Sequence, residues 1–146
     1  MRRAGIGVVL AALAAGGCGG GGAGGGALSH EDYVKQANAL CSRLIANVEA
    51  LPPGQRSELQ APAHNLFYAH VSRMKKLAPP ESDRGTVDEF LLTLDQKAKT
   101  LKDIWDAARA HDGPLIKQLY AQGSRIDKES DSLARKLGLD VCAKGP

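Results

Sequence analysis

Two cysteines bracket most of this chain. Cys41 sits inside the stretch SHEDYVKQANALCSRLIANVEAL, Ser29–Leu51, and Cys142 stands four residues before the last residue of the sequence. In the first stretch Val34, Ala37, Cys41, Leu44, Ile45, Val48 and Leu51 recur at helical spacing, which puts the Cys41 sulfur on a buried face. The chain holds three cysteines, so pairing two leaves one to be accounted for. A bond between Cys41 and Cys142 ties the start of the folded domain to its tail. It admits only folds in which those two places meet.

The third cysteine has a setting of its own. Arg2 and Arg3 precede an apolar run from Ala4 to Ala15, and GGCGGGGAGGG follows. A basic start, a short apolar segment and small residues at a cleavage point mark a secretory signal. The run is about half of the roughly 20 residues that a spanning helix needs, so residues 1–17 read as a cleaved export signal. Ala15-Gly16-Gly17-Cys18 resembles the lipobox of bacterial lipoproteins, although the commonest form of that motif has Leu where this chain has Ala15. The resemblance implies that Cys18 carries diacylglycerol, with palmitate among its acyl chains, and becomes the mature N-terminus. The protein is then expected on the extracytoplasmic face of the cell membrane, held by its lipid. Residues 18–27 form a glycine-rich tether with a root-mean-square reach of roughly 16 Å. A GxGxxG can be read inside it, but no strand precedes it in a βαβ unit, so it is no dinucleotide site.

Charge narrows the partners. Of 19 Lys and Arg, two lie in the signal, which leaves 17 against 16 Asp and Glu, and the formal net charge of +3 becomes +1. No Lys/Arg stripe with interleaved aromatics remains to neutralise a phosphate backbone, so nucleic acid is not an expected partner.

Residues 28–146 read as one helical domain. Ser29 opens the first helix as N-cap, with Asp32 three residues on, and Pro52-Pro53 closes it. In the second, Leu59, Ala63, Leu66, Phe67, His70, Val71, Met74 and Leu77 share a face; Pro62 belongs to the first turn or kinks a longer helix, and Pro79-Pro80 stops it. Glu81–Gly85 is expected to be a turn. Thr86-Val87-Asp88-Glu89 reads as a capping box at the head of the third helix. Val87, Phe90, Leu91, Leu94, Ala98, Leu101, Trp105 and Ala108 give that helix its buried stripe. His111-Asp112-Gly113-Pro114 is the break before the fourth, whose stripe is Leu115, Leu119, Gly123, Ile126, Ser130, Leu133 and Leu137. Gly138 is then the residue that ends it, with Leu139 folding back.

No segment alternates with the period of two that a strand needs. The expected fold is all-α, an antiparallel up-down-up-down four-helix bundle with a C-terminal tail tied to helix one. Cys41 lies roughly 16 Å into its helix at 1.5 Å per residue. The tail after Gly138 spans a similar roughly 13–14 Å if extended. The two cysteines therefore meet only if the tail turns back along helix one.

The opening DYVKQANALC, the double-proline stops and the closing LGLDVC resemble small, uncharacterised α-helical lipoproteins of high-G+C Gram-positive bacteria. What the resemblance implies is structural: an anchor, a helical bundle and a disulfide, with no activity carried over.

Catalytic signatures are absent. There is no GxSxG, HExxH, CxxC or CxxCH, and no enzymatic activity, metal or cofactor is expected. His70 stands out because helical spacing sets it among Leu66, Met74 and Leu77. His70 and Met74 share one helix face and so cannot be opposite axial ligands of one haem, and His64 projects roughly 120° away. The plainer reading makes His70 a boundary histidine hydrogen-bonded to a neighbour, and makes Trp105 and Tyr120 core packing. Gly123 and Ser130, mid-stripe on helix four, mark either a close approach by another helix or bulky ring, such as Phe67 or Trp105, or a small apolar cleft. The expected function is a non-catalytic, membrane-anchored module that engages an envelope protein or component. The alternative is a carrier or sensor for a small apolar ligand, with His70, Met74, Trp105, Tyr120, Gly123 and Ser130 lining the cleft.

Overall fold

The computed structural model describes residues 26–57 and 60–145. The expected signal over 1–17, the lipidation at Cys18 and most of the tether lie outside the described residues, as do Glu58, Leu59 and Pro146. The rest is an all-α bundle of four helices: α1 (His30–Glu49), α2 (Ala61–Met74), α3 (Arg84–Arg109) and α4 (Gly113–Lys136). Short 3₁₀ turns fall at Pro53–Gln55, Glu81–Asp83 and Cys142–Lys144, and no strand occurs among the described residues.

The start of α1 follows its sequence. The Ser29 hydroxyl accepts the Asp32 N–H at 3.1 Å, and Glu31 and Asp32 place negative charge in the first turn. In α2, Pro62 occupies the first turn, where its missing N–H costs nothing. Leu77 lies beyond the end of α2 and is half-buried.

The expected capping box of α3 does not form. The Glu81–Asp83 turn runs straight into a helix that already begins at Arg84, with Asp83 at the N-cap, so Thr86 is helical and cannot cap. Asp83 makes no side-chain cap either, because its carboxylate is engaged elsewhere. It stands 2.6 Å from His30 Nδ1 and accepts the Ser82 hydroxyl at 3.1 Å, and that contact with His30 holds its pKa below the ordinary carboxylate value. The start of α3 is thereby fastened to the start of α1. Nearby, the Leu28 N–H donates to Ala78 O at 3.0 Å.

Both long helices end in the same backbone device. After α4, Gly138 takes φ +73°, its N–H donates to Arg135 O, and the Leu139 N–H donates to Ala134 O at 2.8 Å. After α3, His111 takes the equivalent position at φ 56°, with the His111 N–H on Ala108 O and the Asp112 N–H on Ala107 O. Asp112 then caps α4 by accepting the Leu115 N–H at 3.0 Å. A side chain in the left-handed region costs on the order of 1 kcal/mol that glycine escapes. His111→Gly is therefore expected to raise stability by about 1 kcal/mol, read as a higher urea midpoint; an unchanged or lower midpoint refutes it.

Each helix contributes to one core. Tyr33, Met74, Val87, Phe90 and Leu139 are its largest fully buried side chains. A smaller cluster of Ile104, Ala107 and Leu119 joins α3 to α4 farther along. That cluster corrects the expected α3 stripe, because Trp105 and Ala108 are exposed where Ile104 and Ala107 are buried. Over residues 87–101 the core lies among several helices, but at 104–107 the buried face meets α4, so the buried positions shift by one residue, about 100° around the helix. Tyr120, also expected in the core, is exposed, and so is Leu115.

Candidate functional site

At the junction of α1, α2, α4 and the tail a disulfide, a buried imidazole and a side-chain amide come together. Cys41 and Cys142 form a disulfide, S–S 2.03 Å with Cα atoms 5.2 Å apart. The tail does turn back along α1. Gly138 packs on Val34; Asn38 Nδ2 donates to Gly138 O at 3.3 Å, and Asn38 Oδ1 accepts the Val141 N–H at 3.0 Å. One amide thus clamps both ends of the 138–141 turn and delivers Cys142 to Cys41. The sequence pattern offered no sign of this: Asn38 falls just off the apolar stripe and looks like any polar flank.

His70 closes the site from α2. Its Nε2 lies 3.8 Å from Cys41 Sγ, and the ring is 5% exposed. Burial pushes its pKa down to about 4, opposed in part by a backbone hydrogen bond at Leu40 and aided by the Arg73 charge. The imidazole is neutral at physiological pH. Between these groups and α4 lies a cavity of about 60 Å³, lined by Cys41, Phe67, His70, Ser130 and Cys142, with Lys97, Asp127 and Asp131 at its edge. Lys97 pairs with Asp127 at 3.2 Å and sits 5.4 Å from the Phe67 ring centre.

The six residues considered for a ligand cleft fall in separate places. His70 and Ser130 share the small cavity beside the disulfide. Tyr120 and Gly123 line a surface hollow of about 200 Å³ between α3 and α4, with Thr100, Leu101 and Ile104. Met74 is wholly buried in the core, and Trp105 stands exposed near His64, ring centres 6.1 Å apart. Family models, curated proteins and solved structures offer no match to this chain. Its own geometry carries the reading that follows.

Gly123 faces neither Phe67 nor Trp105 but Thr100, whose methyl is 3.8 Å from where a Cβ would stand. That is ordinary contact distance, so alanine fits, and a helical glycine costs about 1 kcal/mol relative to alanine. Gly123→Ala should raise stability by about 1 kcal/mol, and thermal unfolding measures it. A destabilised variant would mean that the space at α3/α4 is needed empty.

Several buried polar groups escaped the sequence reading. His64 is one: it is buried as well as His70, which the spacing had already set on the apolar face, because α2 packs against both α1 and α3. Thr93 and Thr100 are buried on α3, the former donating to Phe90 O at 2.7 Å. Tyr33 is fully buried with its hydroxyl lacking a partner among the described residues, and burial, with Asp83 and Asp88 nearby, pushes its pKa up to about 12. No group of three or more His, Cys, Asp or Glu among the described residues could hold a metal ion. No helix among them is long and apolar enough to cross a membrane.

Proposed function

We propose that the chain is a membrane-anchored extracytoplasmic module that engages an envelope protein or component through exposed aromatic side chains. One observation carries the reading. The chain's single Trp and two of its three Tyr are exposed, Trp105 at 39%, Tyr68 at 41% and Tyr120 at 50%, whereas Tyr33, Phe67 and Phe90 fill the core. Trp and Tyr are the residues that interfaces concentrate, since each buries a large rigid area at small entropic cost. The Cys18 motif and export signal support the anchor, and the disulfide accords with an oxidising compartment.

The helices are proposed to alternate up-down-up-down, so that the aromatic side chains ride on one rigid body. Contacts between neighbours support that order. Numbers rise on one helix as they fall on the next from Leu28–Ala78 to Cys41–His70, and from Tyr68–Ala98 to Lys75–Asp95. The same holds from Lys97–Asp127 to Thr100–Gly123. Val34 beside Gly138, and Cys41 sharing a cavity with Ser130, close the ring. The carrier reading calls for a chamber of about 300 Å³, and the space between His70 and Ser130 is about 60 Å³.

Photo-crosslinking in living cells tests the module reading. Trp105→Ser and Tyr120→Ser should fold like the parent, because neither side chain fills the core, yet lose the crosslinked adducts. The same adducts at the same yield would reject the aromatic surface. Mass spectrometry of membrane-extracted protein tests the anchor: a diacylated Cys18 with residues 1–17 gone is expected, and an unmodified chain starting elsewhere rejects it.

A further inference from the structure

A buried imidazole beside a disulfide sulfur asks for an explanation that packing does not supply. His70 is enclosed with Leu44, Phe67 and Leu94, where an apolar side chain would fill the same space without the loss of hydration that a polar ring suffers. Its Nε2 reaches Cys41 Sγ at 3.8 Å. The two sulfurs also differ in access. Cys41 is 5% exposed in the middle of α1, whereas Cys142 is half-buried at the start of the last 3₁₀ turn. Both line the small cavity whose edge carries Lys97, Asp127 and Asp131.

We infer that Cys41, Cys142 and His70 form a dithiol–disulfide exchange site that reacts with organic disulfides: Cys142 is the exchanging sulfur, Cys41 the resolving sulfur, and His70 the base for Cys41. In the reduced protein the Cys142 thiolate, its proton gone to solvent, attacks one sulfur of an incoming disulfide R–S–S–R. The new bond joins Cys142 Sγ to that sulfur, the S–S bond of the reagent breaks, and its electron pair leaves on the other half as a thiolate. Cys41 then gives its thiol proton to His70 Nε2 and attacks Cys142 Sγ. The protein disulfide closes, the second R–S⁻ departs, and the proton on His70 passes to solvent. The dithiol is oxidised by two electrons and the reagent is reduced to two thiols. The imidazole of the closed form is neutral, the state in which it can accept a proton from the Cys41 thiol of the reduced protein. As it takes that proton, the imidazolium gains the adjoining thiolate as its counter-charge, which offsets its burial. The charges at the site are Lys97 from α3, Asp127 and Asp131 from α4 and Arg73 from α2 itself; Lys97 is paired with Asp127. Asn38 holds the 138–141 turn so that Cys142 stays within reach of Cys41 once the bond is open.

The test uses full-length protein reduced with a phosphine, freed of it, and mixed with oxidised glutathione. Samples are acid-quenched at intervals and read by intact mass and peptide mapping, which distinguishes Cys18, Cys41 and Cys142. The parent should pass quickly through a single glutathione adduct on Cys142 to the closed disulfide. In His70→Phe that adduct should accumulate, with closure slowed about a hundredfold at neutral pH, the usual scale of a positioned base. Raising the pH toward the thiol pKa should restore most of the rate, since Cys41 then ionises unaided; a merely structural role for His70 would not give that recovery. His70→Asn, smaller and still polar, should behave alike and guards against misfolding of the Phe variant. An adduct on Cys41 in preference to Cys142, equal closure in parent and variants, or a parent rate unchanged in concentrated urea would each overturn the assignment.

Discussion

Replacing both Cys41 and Cys142 with alanine should lower the unfolding free energy by about 4 kcal/mol. The bond closes a loop of 101 residues, for which the chain-entropy estimate is about 4.7 kcal/mol and measured values often run lower. Most of that effect lies in the unfolded chain, which loses a constraint and gains conformations. The urea midpoint should therefore fall while the slope of stability against urea rises, since an unlinked chain exposes more surface. Against a net stability of 5–15 kcal/mol for ordinary domains, about 4 kcal/mol is a large share. The fold should nonetheless persist, because the tail keeps attachments that do not depend on sulfur. Leu139 is fully buried in the core, and Asn38 holds the 138–141 turn by two hydrogen bonds. A variant with an unchanged midpoint would mean that the tail contributes its stability through Leu139 and Asn38 alone.

The four-helix content and the Gly138 stop were legible because each depends on local rules: period, proline, and a glycine beyond the last apolar position; the cysteine pairing was legible by counting, since the motif around Cys18 leaves only Cys41 and Cys142. What escaped depends on neighbours that the sequence does not name. Thr86 and Glu89 compose a good capping box, yet Asp83 is drawn to His30, 53 residues away, and the helix starts three residues early. Trp105 keeps strict spacing with Leu101 and Ala108, but the face of α3 that needs covering turns toward α4 at that level, and Ile104 and Ala107 take the buried places. His70 was visible as an odd member of an apolar face. Its partner was not, because nothing in the spacing of α2 tells which residue of α1 will oppose it. Asn38 was invisible for the same reason: its two bonds go to residues 100 and 103 positions away.

The burial of His70 should make the protein acid-sensitive in a defined window. Its pKa falls from 6.5 to about 4, chiefly because the closed site excludes the water that an imidazolium needs. Above pH 6.5 neither the folded nor the unfolded chain carries that proton, and the group leaves stability unchanged. Between pH 6.5 and 4 the unfolded chain takes up the proton and the folded one refuses it, so stability falls as pH falls. The slope approaches about 1.4 kcal/mol per pH unit, and the loss reaches about 3 kcal/mol near pH 4, below which both states are protonated and the contribution levels off. Carboxylates add losses of the same sign at lower pH: Asp83 beside His30 and Asp106 beside Lys102 both have lowered pKa values, so they too favour the folded state until they protonate. His70→Phe separates the two sources, because it deletes the imidazole and leaves every carboxylate in place. The difference in unfolding free energy between parent and variant, measured by urea titration from pH 8 to pH 3.5, should be flat above pH 6.5 and shift by about 3 kcal/mol in the variant's favour by pH 4. Parallel curves through that window would show that the imidazole protonates freely in the folded protein. The contact with Cys41 would then have to be an open one, and the neutral ring that the exchange site requires would be lost with it.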